Sequence, residues 1–351
     1  MSTFSSGNDE GDKPPSPVPV LLLYNIVEQL DQGEARDLVT DQEIVHTAQA
    51  IAVGLRSTGH DVTAMPVRDE ADVLRAAQQC DPETTLAFNL CENLGGRPED
   101  EAQVPALLES QRVQYTGSPA QTLATCLNKA YTKERLASRQ VPTAPFQVFH
   151  RADECITVPL PAIVKPQGQD ASIGIDRNSV VHDDHALRRR VEYILDTYRQ
   201  PALVEAFVVG REFNVGVWGN GVTHTLPVSE IDFSAWADPY QHVVHFDAKW
   251  TEDSAEYQTM HVICPARVEA DLAERIQKVA LAAYATMGCR DYARVDLRVQ
   301  DGVPYVLEVN PNPCLHKDGG FANAARIAGY DYAQMADRIA GWAWRRRNRH
   351  P

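Results

Sequence analysis

Two strand-like runs near the C-terminus each carry a pair of functional side chains spaced two residues apart. Arg294 and Asp296 lie in the run 293–300, and Glu308 and Asn310 in the run 305–310, with Asp301 and Gly302 between them. Alternate residues of a strand share a face, and Asp-Gly between two alternating runs signals a hairpin. If the two faces coincide, two carboxylates, an amide oxygen and a guanidinium converge. Hard oxygen ligands of this kind suit Mg²⁺. An arginine beside the ions stabilises charge on a transferring phosphoryl group. A competing reading is a solvated polar face held by cross-strand ion pairs, and the hairpin alone does not separate the two. Pro311 and Pro313 stiffen the exit, so the backbone near Cys314 can offer a fixed N–H to a developing oxyanion.

Other candidates lie upstream. Lys165 ends an apolar run and precedes a loop containing Gly168, Ser172 and Gly174, an arrangement that can hold a phosphate while the loop closes over it. Lys129 and Lys249 say little individually, because most lysines are simply solvated. Glu205 and Glu212 flank a short bend. Glu205 can accept from the exocyclic amine of a planar base and Glu212 from ribose hydroxyls, or both are ordinary surface glutamates. Glu43 opens a helix and either binds a substrate ammonium or stabilises the helix start. Cys314 reads as a packed thiol, with no partnered histidine to make it a nucleophile. His224, His242 and His245 show no zinc spacing.

The elements that must position these residues follow from periodicity. The run 18–24 is continuously apolar, as in a strand of a parallel sheet. Residues 31–41 read as a loop and 43–58 as a helix with Ile44, Ala48, Ile51, Ala52 and Leu55 on one stripe, ended by Gly59. Strand 61–67, helix 70–79 and strand 84–90 complete a βαβαβ order, which implies a doubly wound α/β sheet. Ligands of such sheets sit beyond the C-terminal strand ends, here marked by Asn25, Asn89 and Glu92. Beyond residue 121 come a helix at 128–140, strands at 147–150, 162–165, 202–206 and 212–218, and a helix at 184–199, a separation that indicates α+β packing. The stretch 321–345 reads as one helix, and the basic run Arg345 to Arg347 as its solvated end.

The chain has 351 residues with 48 acidic and 33 basic side chains, a net charge of −15. That balance disfavours nucleic acid and anionic membranes as partners. Seven cysteines without a CxxC pair read as reduced cytosolic thiols. No signal-like or membrane-length apolar stretch is present, so the expected location is the cytoplasm.

Taken together, the segments 115–119, 128–133, 163–166, 205–213, 247–250, 293–296 and 308–313 resemble, in order and spacing, the D-alanine–D-alanine ligase branch of the ATP-grasp superfamily. The resemblance runs from about residue 88 to 338. It implies an ATP-dependent carboxylate–amine ligase working through an acyl-phosphate, on small-molecule carboxylate and amine substrates. The implied cofactors are ATP and two Mg²⁺, with Mn²⁺ as a substitute. The implied organisation is a disordered tail at 1–17, an N-terminal domain at 18–120, and two ATP-grasp lobes at 121–205 and 206–351 that sandwich ATP, in a homodimer.

Residue by residue, Lys129 and Lys165 match the nucleotide-phosphate lysines, Glu205 and Val208 the hinge that reads adenine, and Glu212 the ribose ligand. Lys249 matches the lysine that closes over the γ-phosphate, Asp296, Glu308 and Asn310 the magnesium ligands, and Arg294 the arginine that stabilises the acyl-phosphate. The departures concern the substrate. Ala171 stands where the family has a serine, Trp250 where it has a tyrosine, Cys314 where it has a glycine, and Gly319 where it has the serine that receives the second substrate's carboxylate. The N-terminal glycine-serine motif is missing too. Lys317 or His316 is a candidate for a compensating charge. Losing several specific hydrogen-bonding groups implies a changed substrate, an amino acid or natural-product intermediate. The alternatives are strict D-alanyl-D-alanine synthesis, intramolecular ring closure, and a non-catalytic ATP-binding protein.

Overall fold

The computed structural model describes residues 17–27 and 34–347, so the expected tail, apart from Pro17, lies outside the described residues. The N-terminal part comprises β1 (Pro19–Asn25), α1 (Val39–Ser57), β2 (Asp61–Val67), α2 (Glu70–Gln78), β3 (Leu86–Asn89), α3 (Gln103–Ser110) and β4 (Gln114–Tyr115). Its strands form a parallel sheet in the order β2-β1-β3-β4. Strand β1 is apolar throughout because both of its faces are covered. Val20 and Leu22 pack into a cluster with Ile44, Ala48 and Ile51 of α1. Leu21 and Leu23 pack on the other side with Val73, Val104 and Leu108. The chain reverses its direction of winding between β1 and β3, where the two strand ends bring Asn25 and Asn89 together. Asn25 accepts from the Glu92 N–H at 3.0 Å, and Asn89 from the Cys91 N–H at 3.1 Å.

The middle part holds α4 (Ala120–Leu127), α5 (Lys129–Ser138), β5 (Phe146–Phe149), β6 (Ala162–Pro166), β7 (Val180–Val181), α6 (Asp184–Tyr198) and β8 (Ala202–Ala206). Its antiparallel sheet runs β5-β8-β6-β7. Leu187, Val191 and Ile194 of α6 close its core.

The last part holds β9 (Arg211–Asn220), β10 (Val222–Thr225), β11 (Ser229–Asp232), α7 (Phe246–Trp250), α8 (Ala255–Thr259), β12 (His261–Ile263), α9 (Ala270–Met287), β13 (Asp291–Gln300), β14 (Val303–Asn310), α10 (Gly320–Ile327) and α11 (Tyr332–Arg346). Its sheet runs β12-β11-β9-β13-β14, with β10 on β9. Ala293, Val295 and Leu297 of β13 pack with Ile276, Ala280 and Ala283 of α9. Strand alternation therefore sends Arg294, Asp296 and Arg298 to the opposite face.

Three expectations need correction. The first helix starts at Val39, after a 3-10 turn at Ala35–Leu38, rather than at 43. The apolar stripe read from the sequence begins at Ile44, so the first turn reads as loop. The stretch 321–345 is two helices. Gly329, at φ +97°, takes the left-handed backbone that ends α10, and Asp331 restarts the chain through a capping box with Gln334. The basic end is not simply solvated: Arg346 pairs with the fully buried Asp291 and also donates to the Tyr115 carbonyl, while Arg347 pairs with Glu83. The last helix thereby ties β13 to the N-terminal sheet. Among the described residues no helix is long and apolar enough to cross a membrane.

Candidate active site

The hairpin β13–β14 sets Asp296 opposite Glu308 and Arg294 opposite Asn310, with a register shift just after Asp296. The expected convergence is present. Arg294 grips Asp296 through two hydrogen bonds of 2.7 and 2.8 Å, and its Nη2 lies 3.9 Å from Glu308. Asn310 donates to Glu308 at 3.0 Å and to Asp296 at 3.3 Å. On the other flank β9 pairs with β13, setting Asn214 beside Asp296 and Glu212 beside Arg298. Asn214 donates to Asp296 at 2.8 Å.

Burial pushes the Asp296 carboxyl above its ordinary range, against the pull of Arg294. Burial also opposes ionisation of Glu308, but Lys129, Lys165 and Arg294 outweigh it and hold Glu308 below its ordinary range. Lysine and arginine charges thus hold Glu308 ionised, and the twofold contact with Arg294 supports a buried charge on Asp296.

Lys129 opens α5 behind the cap residue Asn128, whose side chain accepts from the Tyr131 N–H. Its ammonium donates to the Gln169 carbonyl and to Asp170, both at 2.6 Å, and lies 3.7 Å from Glu308. Burial would lower its pKa, yet Asp170 and Glu308 raise it on balance. Lys165 ends β6, one strand away from Glu205 on β8.

Glu205 is only 1% exposed and sits between two lysines, with Lys165 Nζ at 2.6 Å and Lys133 Nζ at 2.9 Å. Burial opposes its charge, but the two ammoniums win and lower its pKa. The alternative that Glu205 is an ordinary surface glutamate is corrected here: it is buried and its carboxylate oxygens face lysines. Glu212 likewise is no surface residue. Its Oε2 accepts from Arg298 Nε and Nη2, both at 2.9 Å, and Arg298 also donates to the Val208 carbonyl at 3.1 Å. Val208 belongs to the tight connection between β8 and β9. A Cβ on Gly210 would lie 1.9 Å from the Val299 carbonyl oxygen, so only glycine lets that connection lie against β13.

Lys249 projects from the short helix α7. Burial and then Arg294 lower its pKa, while Cys314, Glu92 and Glu308 pull the other way. The segment around it is fastened to the Gly-containing loop by three bonds. Trp250 Nε1 donates to the Ala171 carbonyl at 2.9 Å, Ser172 Oγ to the Val244 carbonyl at 2.6 Å, and the Phe246 N–H to the Ile175 carbonyl at 3.0 Å. Ala171 and Ser172 hold left-handed backbone, at φ 54° and 64°.

A cavity of about 970 Å³ opens beside this machinery. Glu43, Lys249, Trp250, Arg294, Cys314 and Gly319 line it. Lys317 is exposed and not among the lining residues, whereas His316 is. Burial, then Glu92, pushes the Cys314 thiol up to about 11, as fits a packed thiol. At Gly319 a Cβ would stand 3.0 Å from the His316 carbonyl oxygen, so a serine there requires the loop to shift.

Sequence reasoning missed Arg298, Asn214 and Lys133 as site residues. Arg298 was readable as the next same-face position after Asp296. Asn214 and Lys133 enter through contacts 82 and 72 positions away, Asn214 with Asp296 and Lys133 with Glu205, which no local spacing reveals. Asn312 adds a further tie, donating to the Cys91 carbonyl and to Glu101, both at 2.9 Å, and accepting from the Tyr292 hydroxyl at 2.8 Å.

Comparison with known proteins agrees with this geometry. The family model for the D-ala D-ala ligase C-terminus matches residues 136–340. An uncharacterized protein, y4sG, of Sinorhizobium fredii is 31% identical over 307 residues, covering 85% of this chain and 88% of that protein. A D-alanine–D-alanine ligase of Methylacidiphilum infernorum is 30% identical over 301 residues, covering 84% and 88%. The crystal structure of the Bacillus anthracis D-alanine–D-alanine ligase complexed with ATP superposes with a TM-score of 0.73 over 95% of this chain and 99% of that chain, at 22% identity, and so speaks to the fold. Fold and site define an ATP-grasp enzyme, an ATP-dependent ligase that joins a carboxylate to an amine. The chain belongs to the D-alanine–D-alanine ligase family.

Proposed function

We propose that this enzyme forms an amide through an acyl-phosphate, with Mg²⁺ at Asp296, Glu308 and Asn310, on a substrate pair other than two D-alanines. The observation that carries the first part is the meeting of those three oxygen-bearing side chains with Lys129, Lys249 and Arg294. The donor set fits the metal: two carboxylates and an amide are what Mg²⁺ takes when phosphate oxygens complete its shell. Mg²⁺, two ions in this reading and replaceable by Mn²⁺, supplies charge neutralisation on the β- and γ-phosphates.

The chain's own groups do the rest. Lys129 and Lys165 hold phosphate oxygens, Glu212 takes the ribose, and the backbone near Val208 borders the base. Glu205 acts by fixing Lys165 and Lys133. A carboxylate oxygen attacks the γ-phosphorus and ADP leaves. The amine nitrogen then attacks the acyl carbon, the carbon–oxygen bond to phosphate breaks, and phosphate departs as the nitrogen gives up its proton. Arg294 and Lys249 stabilise the negative charge in both steps. The three bonds between the Gly-containing loop and the α7 segment keep water from the intermediate. The altered substrate follows from Ala171, Trp250 and Gly319, which remove hydroxyls from the cavity.

The division at residues 120 and 205, a cytoplasmic location and a homodimer belong to the same reading. The decisive experiment is phosphate release from ATP and Mg²⁺ with D- and L-amino acids singly and in pairs, with products identified by mass spectrometry. Release with D-alanine alone and a dialanine product would overturn the altered-substrate reading. Release with another acid–amine pair, and its loss in Asp296→Asn, supports it.

A further inference from the structure

We propose that Arg36 is a positioning residue that latches the helix carrying Lys249 to the N-terminal part of the chain. This rests on the ligase reading above in one respect, that Lys249 meets the γ-phosphate.

Helix α7 spans five residues, Phe246–Trp250, too few to hold their shape by their own hydrogen bonds. The aim of Lys249 is therefore set by what α7 is tied to. Three bonds tie its segment to the Gly-containing loop. Arg36 supplies a tie from a separate part of the chain, the 3-10 turn Ala35–Leu38 that leads into α1. Its Nη1 lies 3.6 Å from Asp247 Oδ1, and its guanidinium carbon stands 4.8 Å from the centre of the Phe246 ring. Phe246 and Asp247 precede Lys249 by three and two positions, within one helical turn of it. One side chain thus meets two successive residues of α7, one through charge and the other through the face of its ring.

The turn that presents Arg36 is itself anchored. One carboxylate oxygen of Glu34 accepts from the Tyr193 hydroxyl of α6 at 2.9 Å, and the other pairs with Arg36 Nε at 2.5 Å. The Glu34 N–H donates to the buried Asp37 at 2.8 Å. Arg36 therefore reaches α7 from a turn held to the middle part of the chain, and the N-terminal, middle and last parts meet around it. Its pair with Asp247 is partly exposed, with 39% and 38% of the two side chains open to solvent. Such a contact is modest in strength, enough to bias where a short helix sits.

The test is calorimetric titration of the full chain, in Mg²⁺, with ADP and with the β,γ-imido analogue of ATP, which is not hydrolysed. In Arg36→Met the Kd for the triphosphate should rise between about threefold and about tenfold. The Kd for ADP, which lacks the phosphate that Lys249 meets, should stay at the parent's value. Arg36→Lys keeps a cation before Asp247 and the ring, and should recover part of the loss. Asp247→Asn keeps the Oδ1 that accepts from Thr251 but loses the charge. Combined with Arg36→Met it should cost less than the product of the two single effects, because both remove one contact. If Arg36→Met lowers the thermal melt, Asp247→Asn carries the same comparison of triphosphate with ADP. A triphosphate Kd that stays put, equal losses for ADP and triphosphate, or strictly multiplicative effects overturn the latch. Phosphate release that fails with every acid–amine pair overturns the ligase reading instead, and a triphosphate-specific loss in Arg36→Met still supports the latch as a nucleotide-binding device.

Discussion

The nucleotide end and the substrate end of the site are built by different means. At the nucleotide end the charged groups are buried and paired: Glu205 with two lysines, Glu212 with Arg298, and Asp296 with Arg294. They stand on β6, β8, β9, β13 and β14, strands whose other face is committed to the hydrophobic cores. At the substrate end the walls are short helices, turns and glycines, held by hydrogen bonds that end on backbone carbonyls. A rigid sheet fixes the chemistry that every reaction cycle repeats, while loops can exchange side chains at small cost to the fold. The departures at 171, 250, 314 and 319 all fall in the second region.

If that contrast is right, the two ends answer differently to substitution. Asp296→Asn carries the largest expected effect. It removes a charge that Arg294, Asn214 and Asn310 are arranged around, and should cut ATP turnover by about 10³-fold or more, read by phosphate release. Turnover above a tenth of the parent's would break the assignment of Asp296 to the metal.

Glu205→Ala tests the buried triad. It leaves Lys133 and Lys165 without their shared counter-charge in a region closed to water. Breaking such a pair costs about 3–5 kcal/mol, and urea unfolding should show it. Lys133→Met together with Glu205→Gln should recover only the share of that loss due to Lys133, because Lys165 still lacks its counter-charge. A loss below about 1 kcal/mol in Glu205→Ala would place the triad with weak surface pairs.

Much of this contrast was legible in the sequence. The hairpin was readable because its alternation has period two and Asp301-Gly302 is a turn that few other contexts favour. The first sheet was readable because strands buried on both faces leave continuous apolar runs. Glu205 was misread because its environment depends on Lys133, which only folding brings near. Arg346 was misread for the same reason: its partner Asp291 lies 55 residues away. The break between α10 and α11 was missed, although Gly329, whose left-handed backbone ends α10, was a signal for it. Sequence periodicity reports which face is buried, and it reports poorly which charges meet.

Lys249 sits between the two ends and gives a pH signature. Burial and Arg294 hold its pKa below the ordinary 10.5. The protonated form is the one that stabilises phosphoryl transfer, so activity should fall as pH rises through the lowered value, earlier than for an exposed lysine. The profile of kcat/KM for ATP reports the free enzyme, which keeps the bound phosphates from masking the shift. Lys249→Arg, which stays charged, should move the alkaline limb upward, with a several-fold gain over the parent's relative activity at high pH. An alkaline limb that does not move would detach it from Lys249.

The smallest expected effect belongs to Trp250→Phe. The change keeps an aromatic ring and deletes one donor, the indole N–H that reaches the Ala171 carbonyl. The Ser172 and Phe246 bonds still fasten the same two segments. A single neutral hydrogen bond contributes about 0.5–1.5 kcal/mol, equivalent to between about twofold and about tenfold. That should appear as a raised KM, because the loop closes less firmly on its ligands, while kcat holds near the parent's value. A fall of about 100-fold exceeds what one tether can supply. It would mean that Trp250 touches the reacting groups, and that the substrate end is wired into the chemistry as tightly as the nucleotide end.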